Sequence, residues 1–222
     1  MIDLNRGLKA VRRPMAAVLI CGAVLVSLQA CVGIMVGGAA VVGTLAATDR
    51  RTLGAQTEDK TIAVKGESRI PNAIGPNDHV NVTSFNRKIL LTGEVRDQEA
   101  KAAAEREAAA IEGVQSVVNE LGIGGASSYT SRSNDSVITG KVKASFVDNK
   151  NLSANSIKVV TERGEVFLMG RVTQGEGNLA AEVTRGVSGV TKVVKVFEYI
   201  TDEEYRMLNT TPDNTQNGSQ RK

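Results

Sequence analysis

The sequence predicts an α+β protein built from two tandem copies of one small domain, and three observations predict it. The segment GEVFLMGRV, Gly164 to Val172, repeats the alternation and the internal glycine of KILLTGEV, Lys88 to Val95. Leu91, Gly93 and Val95 fall on Leu168, Gly170 and Val172 at an offset of 77, and Val82 falls on Val159 at the same offset. GVQSVV from Gly113 matches GVTKVV from Gly189 at an offset of 76. The copies therefore span a whole supersecondary unit each and differ by one residue in between.

Residues 1–30 read as a signal peptide, with Arg6, Lys9, Arg12 and Arg13 ahead of an apolar run from Met15 to Leu28. The run ends at Leu28-Gln29-Ala30-Cys31, which resembles the lipobox of bacterial lipoproteins. That resemblance implies that Cys31 is thioether-linked to diacylglycerol and that the new amino terminus is acylated, giving at least two chains in the bilayer and stable anchoring. Val32 and Gly33 follow the cysteine with no aspartate, as in lipoproteins sorted to the outer membrane of a diderm bacterium. In a competing reading Met15 to Ala47 stays uncleaved and spans the bilayer, with Gly33 and Gly37 as a weak helix-packing pair. Either way the chain sits at a membrane.

Cleavage removes Cys21 and acylation consumes Cys31, which leaves no thiol for a disulfide. Charge also changes meaning. Four basic residues and one acid precede Cys31, so the 27 basic and 24 acidic groups of the whole chain leave 23 of each. The mature chain is formally neutral, and no nucleic acid is expected as a partner.

Residues 31–58 are expected to form an acylated Gly/Ala-rich tether, 59–121 the first domain, 122–134 a Gly/Ser linker, 135–200 the second domain and 201–222 a disordered tail. Each repeat holds only about sixty-five residues, near the lower limit for an independent core, so the two are expected to pack together. The second repeat has the more readable periods. Ile138, Val142 and Phe146 give one helical face after Asp135 or Ser136 as cap. Ile157, Val159, Val166, Leu168 and Gly170 alternate on either side of Glu162-Arg163-Gly164, which predicts two strands and a tight turn. Thr173 and Glu176 have capping-box spacing before a second helix through Leu179, Val183 and Val187. Val193 to Ile200 is expected to close the unit as a third strand, giving the order helix, strand, strand, helix, strand.

The first repeat follows this plan less regularly. Asp97 caps an alanine-rich helix from Ala100 to Ala110. Gly66, Pro71 and Gly75 interrupt the stretch ahead of its strands, which predicts a shortened or broken first helix. Arg87 takes the place of the turn glycine Gly164, with Asn86 beside it able to adopt the left-handed conformation.

These residues carry a family resemblance. The pattern V-x-V-x(4–5)-G-x-V-x-L-x-G-x-V, then a helix, then G-V-x-x-V, resembles the BON domain of bacterial envelope proteins, and it covers both repeats. With AAVVGTLAATDRR (Ala39 to Arg51) and NDSVIT (Asn134 to Thr139), the whole chain except its tail is similar to the dual BON-domain outer-membrane lipoproteins. The resemblance implies a non-enzymatic periplasmic protein, anchored in the outer membrane by its acyl chains, that binds anionic phospholipid through its second domain. It also implies support of envelope integrity and division-site function, with envelope assembly or division proteins as partners and no cofactor.

The residues give this independent support. The first repeat has eight basic and ten acidic groups, the second nine and seven. Lys141, Lys143 and Lys150 lie on or just after the first helix of the second repeat, where each charge near an anionic surface is worth about 1 kcal/mol. Val137, Lys141 and Ala144 share a face opposite the Ile138/Val142/Phe146 stripe, so Val137, Lys141, Lys143 and Ala144 are the expected phospholipid-binding residues. The family often carries tryptophan where this chain has Val137, a residue without the ring that favours the headgroup region. The alternative is a protein-interaction adaptor for envelope assembly or cell-wall remodelling factors, with lipid binding incidental.

No catalytic site is expected. Gly175-Glu176-Gly177-Asn178-Leu179-Ala180 matches G-x-G-x-x-A between strand and helix. The equivalent corner of the first repeat, Asp97 to Ala102, has no glycine, and the unit is too small for a doubly wound sheet. His79 is the only histidine and has no cysteine or second histidine for a structural zinc site. No G-x-S-x-G and no P-loop are present.

Overall fold

The computed structural model describes residues 49–75 and 78–209. The signal peptide, Cys31, most of the expected tether, the alternative span Met15 to Ala47 and the tail beyond Asn209 lie outside the described residues. Among the described residues no helix is long and apolar enough to cross a membrane.

The first domain consists of α1 (Leu53–Ile74), β1 (His79–Phe85), β2 (Lys88–Val95), α2 (Gln98–Ala109), β3 (Ser116–Asn119) and β4 (Gly122–Ile123). The second repeats it as α3 (Tyr129–Asp148), a 3-10 turn (Ala154–Ser156), β5 (Ile157–Glu162), β6 (Glu165–Val172), α4 (Gln174–Arg185), β7 (Lys192–Lys195) and β8 (Glu198–Tyr199). A further helix, α5 (Asp202–Asn209), follows. In each domain the central strand pairs antiparallel with its hairpin partner and parallel with the last two short strands, with Val82 opposite Leu91 and Val159 opposite Leu168. The architecture is α+β with two tandem domains. Each expected third strand is split in two; in the second domain Val196 and Phe197 interrupt it, one buried toward the other domain and one toward its own helices.

Contrary to the expectation of a broken helix, α1 runs unbroken for 22 residues, and it starts inside the stretch read as tether. Packing outweighs local propensity here. Asp59, Ile62, Gly66, Ile70 and Ile74 form its buried stripe. Gly66 lets the helix lie against β1, since a Cβ there would come within 2.8 Å of Val82 Cγ1. Pro71 falls in the last turn, where the missing N–H costs one hydrogen bond, and Gly75 ends the helix by donating its N–H to the Pro71 carbonyl at 2.9 Å.

The first helix of the second domain also starts earlier than expected. Ser128 caps α3, its hydroxyl accepting from Ser131 N, so the helix absorbs the end of the predicted linker. Asp135 is therefore no cap. It is buried within the helix, and its carboxylate accepts the backbone N–H groups of Arg163 and Gly164 at 2.9 and 2.8 Å. Asp59 does the same for Asn86 and Arg87 at 2.7 and 2.8 Å. Both turns are left-handed at both central residues, with φ of 49° and 63° at Asn86 and Arg87 and 54° and 76° at Arg163 and Gly164. That matches the right-handed twist of the hairpin strands. Arg87 thus adopts the conformation expected of its neighbour alone.

The glycines shared by the repeats sit where the strands come closest. A Cβ at Gly93 would meet the His79 carbonyl oxygen at 2.1 Å, and one at Gly170 the Ser156 carbonyl oxygen at 2.6 Å. Asp97 caps α2 as expected, and Thr173 with Glu176 forms the capping box of α4.

Alternation along the strands separates three cores. Ile89, Leu91 and Val95 pack under α1 and α2, while Val166, Leu168 and Val172 pack under α3 and α4. The opposite faces of the two sheets meet through Phe85, Leu90, Phe167, Met169 and Val196. The central strands are buried on both sides, which is why they read as continuous apolar runs.

The stretch after Ile200 is not wholly without structure, as its composition had suggested. Helix α5 is held by charge rather than apolar burial: Arg171 pairs with Glu204, and the Arg50 guanidinium lies 4.6 Å from the centre of the Tyr205 ring.

Candidate functional site

Helix α3 turns Asp135, Ile138, Val142 and Phe146 inward, and the four residues predicted to contact lipid all remain on its exposed surface. Val137 is 55% exposed and Val147, further along, 72%. At about 100° per residue, Val137, Gly140, Ala144 and Val147 line one stripe, with Lys141 on one side of it and Lys143 on the other. A Cβ built at Gly140 would meet nothing within 4 Å, so the stripe is open and shallow at its centre. The result is a narrow apolar ridge between two ammonium groups.

Lys143 and Val147 also border a recess of about 390 Å³, with Arg51, Phe85, Ala154, Asn155, Ile157 and Lys158 as its other walls. Sequence spacing alone does not mark Lys158 as a binding residue, although its place between Ile157 and Val159 in an alternating strand turns it away from their core. Its ammonium reaches the Ser84 carbonyl at 3.3 Å. The recess walls crowd Lys158 while leaving it partly accessible. That crowding, and after it the Arg51 charge, hold its pKa below the ordinary lysine value.

Arg51 is already engaged, with Asp49 at 2.6 Å, Asp59 at 2.8 Å and the Phe85 ring 4.0 Å below it. Burial alone would lower its pKa, but Asp49 and then Asp59 raise it. Lys143 and Lys158 are therefore the cations of this recess that lack a carboxylate at contact distance among the described residues.

At the repeat offset Lys158 corresponds to Asn81 and Phe85 to Glu162, so the same position in the other half of the molecule is acidic. There His79, Glu94 and Glu162 each bring one ligand-type atom within 4.8 Å of the others, which makes them the residues that could hold a metal ion among those described. A recess of about 360 Å³ opens beside them, lined in part by His79, Asn81, Asp135 and Glu162. Sequence spacing could not reveal this group, because its members come from three strands.

The glycine-rich corner before α4 cannot take a dinucleotide. A Cβ at Gly177 would lie 3.0 Å from the Tyr199 ring and 3.2 Å from the Phe197 ring, so that glycine serves packing against aromatic side chains. The first turn is closed by Glu176, which Arg50 engages at 2.6 and 2.9 Å.

Comparison with known proteins agrees with this architecture. The BON domain family matches at residues 58–125 and again at 134–201. The chain is 42% identical over 176 residues to the outer membrane lipoprotein DolP of Haemophilus influenzae, covering 78% of this chain and 90% of that protein. It is 34% identical over 154 residues to the 21 kDa hemolysin of Actinobacillus pleuropneumoniae, covering 68% and 79%. It is 45% identical over 60 residues to the osmotically-inducible protein Y of Escherichia coli, covering 27% and 30%.

Proposed function

The chain belongs to the BON-domain family, as a member with two copies of the domain, and from that premise we propose that it is an envelope protein that docks on anionic phospholipid through helix α3. Its localisation is the outer membrane, as for the lipoprotein relative it matches along most of its length. Anchoring through acylated Cys31 belongs to this reading, as does support of envelope integrity and division-site function.

One observation carries the lipid assignment: an exposed apolar stripe of Val137, Gly140, Ala144 and Val147 flanked by Lys141 and Lys143, with the incompletely solvated Lys158 in the adjoining recess. Each lysine brought near an anionic surface contributes about 1 kcal/mol, and partial burial of each valine about 1 kcal/mol more. Those sums give weak, salt-sensitive binding. Such binding suits a protein already held at the membrane, where docking of the domain becomes an intramolecular step.

The test uses the fragment Thr48–Lys222, which is a compact unit by itself, floated with neutral or anionic vesicles at two salt concentrations. Capture by anionic vesicles alone, falling with salt and abolished by K141E/K143E, supports the reading. A fragment that stays unbound throughout removes lipid docking and leaves the adaptor role for envelope assembly or cell-wall remodelling factors.

A further inference from the structure

We propose that His79, Glu94 and Glu162 form a divalent transition-metal site, of the kind that takes Zn2+, which clips the two domains together. Strand alternation puts all three side chains at the junction of the sheets. His79 and Glu94 are opposite each other across the β1–β2 pair, and Glu162 ends β5 of the second domain. Their ligand atoms lie within 4.8 Å of one another.

The charge around this group is unbalanced in the way a cation would correct. Glu94 is fully buried. Its Oε2 accepts from the Ser127 backbone N–H at 3.0 Å and lies 3.2 Å from His79 Nδ1, but its Oε1 has no hydrogen-bond partner. The nearest cation to that oxygen is the Arg163 Nε at 3.7 Å, on a side chain 58% exposed to solvent. Glu162, itself buried, adds a second carboxylate whose Oε2 accepts from Asn81 Nδ2 at 2.9 Å. A buried carboxylate oxygen that accepts no hydrogen bond is costly. Here that carboxylate belongs to a cluster that also holds an imidazole nitrogen and a second carboxylate.

The donor set decides the class of ion. One imidazole nitrogen and two carboxylates suit a borderline divalent ion such as Zn2+, which takes three protein ligands and leaves a position for water. Ca2+ would ask for six to eight oxygens and Mg2+ for an octahedron of them, neither of which this group supplies. Bonds of about 2.1 Å require the ligand atoms to close up by on the order of 1 Å, a movement within reach of the Glu162 side chain. The adjoining recess of about 360 Å³ has room for the remaining water. At the equivalent place in the other half of the molecule the repeat offset sets Ser156, Arg171 and Phe85, so the repeat does not reproduce the site.

The experiment titrates the full-length protein, in detergent and stripped of metal by a chelator, with Zn2+ alone and with Co2+ as a visible probe. One ion per chain should bind, raise the midpoint of thermal unfolding and shift the ring resonances of the single histidine. H79A and E162Q, neither of which removes an apolar core side chain, should each weaken binding at least tenfold. Mg2+ should produce no comparable shift in the midpoint. Absence of saturable Zn2+ or Co2+ binding overturns the proposal, and so does stoichiometric binding that H79A leaves unchanged. Neither result bears on the lipid face of α3.

Discussion

Asp59 and Asp135 stand 76 positions apart and make the same connection. Each carboxylate reaches from the first helix of its domain to the two backbone N–H groups of a left-handed hairpin turn. Helix and hairpin are thereby fixed before any apolar contact is counted. Replacing either by asparagine removes the charge and one accepting oxygen, and should cost about 2 kcal/mol in urea unfolding, in the range for hydrogen bonds to a charged group.

Asp59 also predicts a pH dependence. Burial alone would raise its pKa, but the Ser84 hydroxyl, the Arg87 and Asn86 N–H groups and Arg51 lower it. A depressed folded-state pKa means the contribution is complete above the unfolded value of about 3.9 and is lost as pH falls through the lower folded value. Stability measured from pH 5 down to pH 2 should therefore fall less steeply for D59N than for the wild type. An identical acid limb in the two proteins would contradict the assignment.

Glycine substitutions should sort by space. At Gly93 the φ of 114° and a carbonyl 2.1 Å from the built Cβ leave alanine no room, so G93A should cost several kcal/mol or prevent folding. Gly140 lies in open space within α3, where alanine should stabilise by up to about 1 kcal/mol through helix propensity. Thermal melts of the two variants check both directions.

The two domains should unfold as one unit. Phe167 and Met169 of the second domain and Phe85 and Leu90 of the first share one buried cluster. F167A should cost about 3–5 kcal/mol and broaden or split the single transition of the wild type, as read by calorimetry.

Much of this fold is written locally. The alternation around Gly170, the Ile138/Val142/Phe146 stripe and the Thr173/Glu176 capping box each depend on neighbours within a few residues, and each was legible. What escaped depends on distant partners. Helix α1 continues past Gly66 and Pro71 because β1 and the underlying core hold it, which overrides a local propensity. Helix α5 has little apolar content and is ordered by Arg171 and Arg50. Asp135 looked like a cap because its turn partners lie some 28 residues away. The exposed positions of Val137, Lys141, Lys143 and Ala144 followed from helical period alone, whereas Lys158 joined them only once the strands were paired. His79 has no cysteine or second histidine as a partner in the sequence, and the carboxylates that gather round it come from β2 and β5.

Substitution at the ridge should tune lipid affinity in both directions. V137W adds a ring that prefers the headgroup region and should tighten binding to anionic vesicles several-fold, whereas V137D should abolish it. Both side chains point to solvent, so circular dichroism should be unchanged.

The most direct measurement places an environment-sensitive fluorophore at position 137. The fragment Thr48–Lys222 contains no cysteine, so V137C gives a single labelling site. On anionic vesicles the emission should shift to the blue and become shielded from an aqueous quencher. The shift should be smaller at high salt and absent with K141E/K143E or with neutral vesicles. A label on the ridge that stays fully quenchable while the fragment co-floats with the vesicles would contradict docking through α3.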